Sequence, residues 1–189
     1  MKKTLIGVGM LIAAFIVIFF ALNSYRYNGK EPQGPAVVSH KDATYVIDGA
    51  PTRLLNGVSE VEGVFPDSAS KIITQHFGNE VRLDADGDGR EDVVFLLTQS
   101  SGGSGRFYYV VAGLNKENKY VGSHAFFLGD RIAPQTTEVG NNRAVIVNFA
   151  DRAPGESFAT SPSVGKTVRL RLNPATLEFK EVTKEDAGR

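Results

Sequence analysis

Four aspartates stand close together in one short segment, residues 84–92 (DADGDGRED). Counted from the first aspartate, carboxylates occupy positions 1, 3, 5 and 9, and glycines that permit tight turns occupy positions 4 and 6. Carboxylates at this spacing can surround one hard cation, and the main-chain carbonyl of position 7 can add a further oxygen. The segment therefore predicts a calcium site with side-chain ligands Asp84, Asp86, Asp88 and Asp92 and a backbone ligand at Arg90.

The choice of calcium follows from ligand chemistry. Without a cation, four carboxylates within nine residues repel one another, so we expect an ion to order the loop. Magnesium demands a tighter octahedron and keeps its waters. Zinc prefers His or Cys, and neither lies near the segment. The alternative interpretation is a solvated Asp-Gly turn that binds no ion.

The loop differs from an EF-hand, which needs a bidentate glutamate at position 12, where this chain has Phe95 in an apolar run. A nine-residue DxDGDGxxD pattern that leads directly into a strand resembles the calcium loops of FG-GAP-type and dockerin-type extracellular modules. That resemblance implies calcium as the ion and carries little information on the fold.

The residues around the loop are typical of short strands and turns. Asp48-Gly49 and Asn56-Gly57 each lie between short alternating runs, which is a strong local signal for a β-hairpin. Residues 71–77 (KIITQHF) favour a strand, with a helix as the alternative. The predicted strands are 43–48, 53–55, 58–62, 71–77, 92–98, 106–114, 119–128, 143–149, 167–172 and 177–182. We therefore expect a mainly β or α+β domain, folded as a compact antiparallel sandwich or barrel.

An uncharged apolar run of nineteen residues, 4–22, follows Lys2 and Lys3. As a helix it would reach roughly 28 Å, close to the hydrocarbon thickness of a bilayer. This favours an uncleaved transmembrane anchor, with the N-terminus inside and the rest outside, over a cleaved signal peptide. The predicted organisation is an anchor with flanks (1–30), a tether (31–41), a β-rich extracytoplasmic domain (42–183) and a C-terminal tail (184–189).

Composition excludes several classes of protein. The absence of Cys excludes disulfide scaffolds, thiolate nucleophiles and Cys-ligated metals. The formal net charge is zero, which argues against a nucleic-acid partner. That zero is a cancellation, because residues 1–30 hold four basic and no acidic side chains, which leaves 17 basic against 21 acidic in residues 31–189.

Two similar loop sequences are candidates for facing a ligand. Asp130-Arg131 and Asp151-Arg152 could form a recognition surface with the Ser/Thr-rich stretch 156–163. Alternatively, each Asp-Arg pair caps a turn or bridges strands. His40, His76 and His124 are far apart in sequence, and no nucleophile motif accompanies them.

Several longer stretches resemble a family of small single-anchor exported bacterial proteins predicted from the genomes of uncultured bacteria. The resemblance covers nearly all of residues 42–182 and implies an anchored exported domain, without implying an activity. The stretches that carry it are FGNE (77–80), the aspartate-rich segment 84–92 (hereafter the acidic loop), FLLTQ (95–99), GGSG with FYYVV (102–111), LGDRIAPQTTE (128–138) and ADRAPG (150–155).

Together these patterns predict a calcium-binding β-domain, held to the membrane through residues 4–22, that acts as a binding or interaction module and is not an enzyme. The expected partner is a protein or an envelope polymer. One alternative is an envelope hydrolase or hydrolase inhibitor that uses the loops 129–134 and 150–166. The other alternative is a structural spacer in a membrane complex.

Overall fold

The computed structural model of the chain describes residues 39–63 and 71–188. The predicted anchor and most of the predicted tether lie outside these residues. Within the described ranges, no helix has the length and apolar character needed to cross a membrane.

The described residues fold mainly into strands, with a 3-10 turn at His40–Asp42 and one short helix, α1 (Lys184–Ala187). The strands are β1 (Thr44–Ile47), β2 (Ala50–Arg53), β3 (Val58–Glu62), β4 (Lys71–Leu83), β5 (Asp92–Ser100), β6 (Phe107–Asn115), β7 (Tyr120–Gly122), β8 (Phe126–Asp130), β9 (Ala133–Val139), β10 (Val145–Asp151), β11 (Val164–Asn173) and β12 (Glu178–Glu181).

These strands form three sheets. The largest has the order β3-β4-β5-β6-β7, and β8 pairs with a further part of β6. A four-stranded sheet has the order β12-β11-β10-β9, and β1 and β2 form a two-stranded hairpin. The pairings between these strands are antiparallel. The prediction of a mainly β domain with antiparallel sheets is therefore confirmed.

Strand β5 lies at the centre of the largest sheet and is buried on both faces. Residues 93–97 (VVFLL) have side chains with 0% exposure. Val94 and Leu96 pack into a core shared with β10, β11 and β12 of the four-stranded sheet. Val93, Phe95 and Leu97 pack into a second core under the hairpin of β1 and β2, called the β1 hairpin below. A continuous apolar run, rather than an alternating one, is what burial on both faces requires.

The two predicted hairpin turns have different outcomes. Asp48-Gly49 joins β1 to β2 with both residues at positive φ (49° and 81°), as a tight hairpin turn requires. Asn56-Gly57 also forms a tight turn, but only one bridge, Leu55 to Val58, flanks it. Strand β3 pairs with β4 instead.

The predicted strand 53–55 is shifted, since β2 is Ala50–Arg53, and three larger differences separate the predicted elements from the observed ones. Residues 119–128 form two strands rather than one, because the backbone of Ser123 and Ala125 hydrogen-bonds to Val46 of β1. Strand β9 is absent from the predicted set, since its sequence (APQTTEV) is polar and contains proline. Strand β4 extends from the predicted 71–77 to Leu83.

Both ends of the described chain lie inside the fold. Residues 39–41 belong to the predicted tether, but His40 is buried and the Lys41 carbonyl accepts a hydrogen bond from the Gly57 amide. Residues 184–187 belong to the predicted tail, but they form α1, whose Ala187 is fully buried. The Thr183 hydroxyl caps this helix by accepting from the Asp186 amide.

We predict that Leu96→Ala lowers the free energy of unfolding by about 2–5 kcal/mol, because it opens a cavity in the shared core. Leu55→Ala is the matched control, since Leu55 is 63% exposed, and we expect a change within about 0.5 kcal/mol. Denaturant titration of the full-length chain in a mild detergent measures both. Equal losses for the two variants would contradict the central position of β5.

Candidate metal centre

The acidic loop connects the two most extensively paired strands of the largest sheet. Leu83 at the end of β4 pairs with Asp92 at the start of β5, so residues 84–91 leave and re-enter the sheet at one point. The alternation of aspartate with small residues allows each side chain to accept from the backbone just ahead of it. The loop is therefore shaped by its own sequence.

Asp84, Asp86 and Asp88 are brought together as predicted. Each offers a carboxylate oxygen, and these oxygens lie within 4.8 Å of one another. Asp84 accepts the amides of Gly87 (2.7 Å) and Gly89 (3.0 Å). Asp86 accepts the Asp88 amide at 3.1 Å, and Asp88 accepts the Arg90 amide at 2.9 Å. These bonds hold the three carboxylates beside one another.

Asp92 is placed differently from the other three aspartates. Its side chain is fully buried, and its two oxygens accept the amides of Ala85 (2.9 Å) and Asn115 (2.8 Å). Desolvation by burial raises the pKa of this carboxyl, although these hydrogen bonds act in the opposite direction. Asp92 thus joins the base of the acidic loop to the end of β6.

The Lys116 ammonium contacts the acidic loop. The sequence patterns did not predict this contact. Its ammonium nitrogen lies 2.5 Å from Asp86 Oδ2 and 2.5 Å from Asp88 Oδ2. The hydrogen bond from Lys116, with that from the Arg90 amide, lowers the pKa of Asp88 to about 2. The Asp86 and Asp88 carboxylates in turn raise the pKa of Lys116. Lys116 and Asp88 are therefore both ionised at neutral pH.

The Arg90 side chain links the acidic loop to the residues at the end of β6. Its guanidinium donates to Asp88 Oδ2 (3.1 Å), to Glu117 (3.1 Å) and to the Asn115 carbonyl (3.0 Å). Lys116 and Glu117 follow β6, which ends at Asn115, so only the β5–β6 pairing brings them to the loop. Local sequence spacing carries no signal of that approach.

The second candidate surface, around Asp130, Arg131, Asp151 and Arg152, is held together by internal contacts. Arg131 forms a two-point ion pair with Asp130, and its guanidinium carbon lies 3.9 Å from the centre of the Phe158 ring.

Arg152 donates to the carbonyls of Arg131, Phe158 and Thr160. Asp151 pairs with Lys166 at 2.6 Å. These contacts support the interpretation that the Asp-Arg pairs organise their own loops.

Three other side chains form a second cluster of potential metal ligands, which the sequence patterns did not predict. His40, His76 and Glu80 each offer a ligand atom within 4.8 Å of the others. His124, by contrast, is exposed. Residue spacing carries no indication of the cluster, because its members are separated by a turn, a hairpin and a β-bulge.

Comparisons of this chain with protein-family models, with curated proteins and with solved structures find no match. The resemblances described from the sequence therefore stay predictions, and a function for this chain has to be inferred from the geometry of the candidate site.

We predict that Asp92→Asn lowers the free energy of unfolding by about 1–3 kcal/mol, because an amide has one oxygen where two N–H groups need acceptors. Glu91→Gln is the matched control, since the Glu91 side chain is 62% exposed, and it should change stability by less than about 0.5 kcal/mol. The measurement is denaturant unfolding of the full-length chain. An Asp92→Asn variant as stable as the control would show that this carboxylate does not anchor the loop.

Proposed function

We propose that the acidic loop binds one calcium ion, and that the β-domain is a membrane-anchored, extracytoplasmic binding or interaction module stabilised by that ion. The observation that carries the calcium proposal is the convergence of Asp84, Asp86 and Asp88 oxygens within 4.8 Å. Three neighbouring carboxylates on one loop provide the all-oxygen environment that calcium prefers.

The ligand set supports calcium over other divalent cations. The three side chains that converge offer only carboxylate oxygens, which suit a hard cation. Zinc would favour imidazole or thiolate ligands. An irregular loop of this kind suits the flexible coordination of calcium better than the strict octahedron of magnesium.

The position of Lys116 sets the strength of binding. Its ammonium already contacts two of the three carboxylates, so calcium must displace it. The Lys116 side chain is 31% exposed and long enough to move into solvent. We therefore expect weak affinity, of about 10⁻⁴ to 10⁻³ M, as in extracellular calcium modules.

Anchoring and export rest on sequence features outside the described residues. The apolar run 4–22 has the length of a membrane span, and residues 31–38 of the predicted tether can separate it from the domain. Extracellular modules bind calcium with Kd values of about 10⁻⁴ to 10⁻³ M, so a weak site is consistent with an extracytoplasmic domain. The role as an interaction module is supported by a rigid sheet framework that presents several loops to solvent.

A thermal-melting experiment tests calcium binding. At a calcium concentration about tenfold above Kd, binding adds about 1.4 kcal/mol and raises Tm by about 3–6 °C relative to chelator. Asp84→Asn combined with Asp88→Asn should abolish the shift, whereas Glu60→Gln, a distant exposed carboxylate on β3, should retain it. Identical melting curves with calcium and chelator for the unmodified chain would exclude the proposal.

Lys116→Met provides the converse arm of the same experiment. Removal of the competing ammonium should tighten calcium binding by about 3- to 30-fold, the equivalent of two partly exposed ion pairs. Lys119→Met, in the same turn and exposed, should leave the affinity unchanged. Weaker calcium binding in Lys116→Met would mean that Lys116 supports the site rather than competes for it.

A further inference from the structure

Two imidazoles and one carboxylate meet on the face of the largest sheet that packs under the β1 hairpin. His40 Nε2 lies 3.1 Å from Glu80 Oε1, and His76 Nε2 lies 2.7 Å from the same oxygen. The His40 and His76 side chains are 9% and 16% exposed, and that of Glu80 is 29% exposed. The cluster is thus mostly enclosed, with its carboxylate at the solvent side.

The meeting of His76 with Glu80 depends on a β-bulge. In a regular strand, residues four apart lie about 13 Å from each other. In β4 the pairing register shifts around Gly78 and again before Val81. Gly78 and Asn79 both have positive φ, 118° and 51°. This local distortion brings a carboxylate onto an imidazole of its own strand, and bulges of this kind often re-aim side chains at functional sites.

His40 is fixed independently of the other two residues. The buried Tyr45 hydroxyl donates to the His40 carbonyl at 2.7 Å. A Cβ added at Gly113 would lie 2.8 Å from His40 Cβ, so the histidine packs directly on the backbone of β6. The Phe95 ring lies 5.0 Å from each imidazole and forms an apolar floor. The two imidazoles are therefore positioned by packing.

We infer that His40, His76 and Glu80 form a binding site for a divalent transition-metal ion of the zinc class. The ligands are the Nε2 atoms of the two histidines and one carboxylate oxygen, with the fourth position open to water. A tetrahedral zinc site with bonds of about 2.0–2.1 Å separates its ligand atoms by about 3.3 Å. The two nitrogen–oxygen separations, 3.1 and 2.7 Å, are slightly shorter than this value, and all three ligand atoms lie within 4.8 Å of one another.

The chemistry of the three side chains suits such an ion. Burial lowers the pKa of His40 and the pKa of His76, and a neutral imidazole can offer a lone pair at Nε2 by a change of tautomer. Burial opposes ionisation of Glu80, but hydrogen bonds from His76 and His40 outweigh it and lower the pKa of that carboxyl. One carboxylate charge and two neutral imidazoles make a suitable zinc ligand set.

One neighbouring cation works against metal binding. Lys41 Nζ lies 3.7 Å from Glu80 Oε1, and the Lys41 side chain is 41% exposed. It can turn into solvent when an ion binds, at the cost of a weak ion pair. This site differs in chemistry from the acidic loop, which offers only carboxylates, so the two centres should select different ions.

Zinc titration of the full-length chain, in detergent with calcium present at saturation of the acidic loop, tests the inference. We expect one zinc ion per chain, read by competition with a chromophoric chelator. His76→Gln should weaken binding by at least about 100-fold, since it removes a direct ligand. The matched control is His124→Gln, which replaces an exposed histidine and should leave zinc affinity unchanged.

Cobalt substitution supplies a readout that needs no variant. Cobalt bound by two imidazoles and a carboxylate should give visible absorption bands of tetrahedral intensity, and zinc should abolish them. Circular dichroism tests whether His76→Gln is folded. If that variant is unfolded, Glu80→Gln replaces it in the titration. Absence of stoichiometric zinc binding, equal affinity in His76→Gln, or loss of zinc binding in Asp84→Asn/Asp88→Asn instead would overturn the inference.

Discussion

Burial of β5 on both faces is the constraint on which the rest of the fold depends. Each of the five residues 93–97 is fully enclosed, and alternate side chains enter two different cores. Full burial of side chains of this size contributes about 1.5–3 kcal/mol each. Because neither face can be left open, the four-stranded sheet must cover one side and the β1 hairpin must cover the other.

Both clusters of ionisable groups are tied to this strand. Asp92 begins β5, and its buried carboxylate fixes the acidic loop to the end of β6. Phe95, three residues later, supports the imidazoles of His40 and His76. One buried strand thus supports both clusters. In the acidic loop, Lys116 and Arg90 offset part of the repulsion between carboxylates.

Local patterns predicted much of the fold and one of the two clusters. The Asp48-Gly49 hairpin, the strand at 71–77 and the grouping of Asp84, Asp86 and Asp88 depend on neighbouring residues, so sequence periodicity and spacing reveal them. Local patterns could not reveal contacts between residues that are far apart in the sequence. Lys116 reaches the acidic loop through strand pairing, and His40 contacts Glu80, which lies 40 residues further along the chain, through packing. Strand β9, polar and interrupted by proline, is ordered by its pairing with β10.

We propose that calcium takes the place of the Lys116 ammonium among the loop carboxylates. Diffraction from crystals of the full-length chain grown with millimolar calcium, recorded where calcium scatters anomalously, tests it most directly. The expected result is one anomalous peak between the Asp84, Asp86 and Asp88 carboxylates, with Lys116 Nζ withdrawn from Asp86 and Asp88. A loop without an anomalous peak, and with Lys116 Nζ still bridging those two carboxylates at the same calcium concentration, would contradict it.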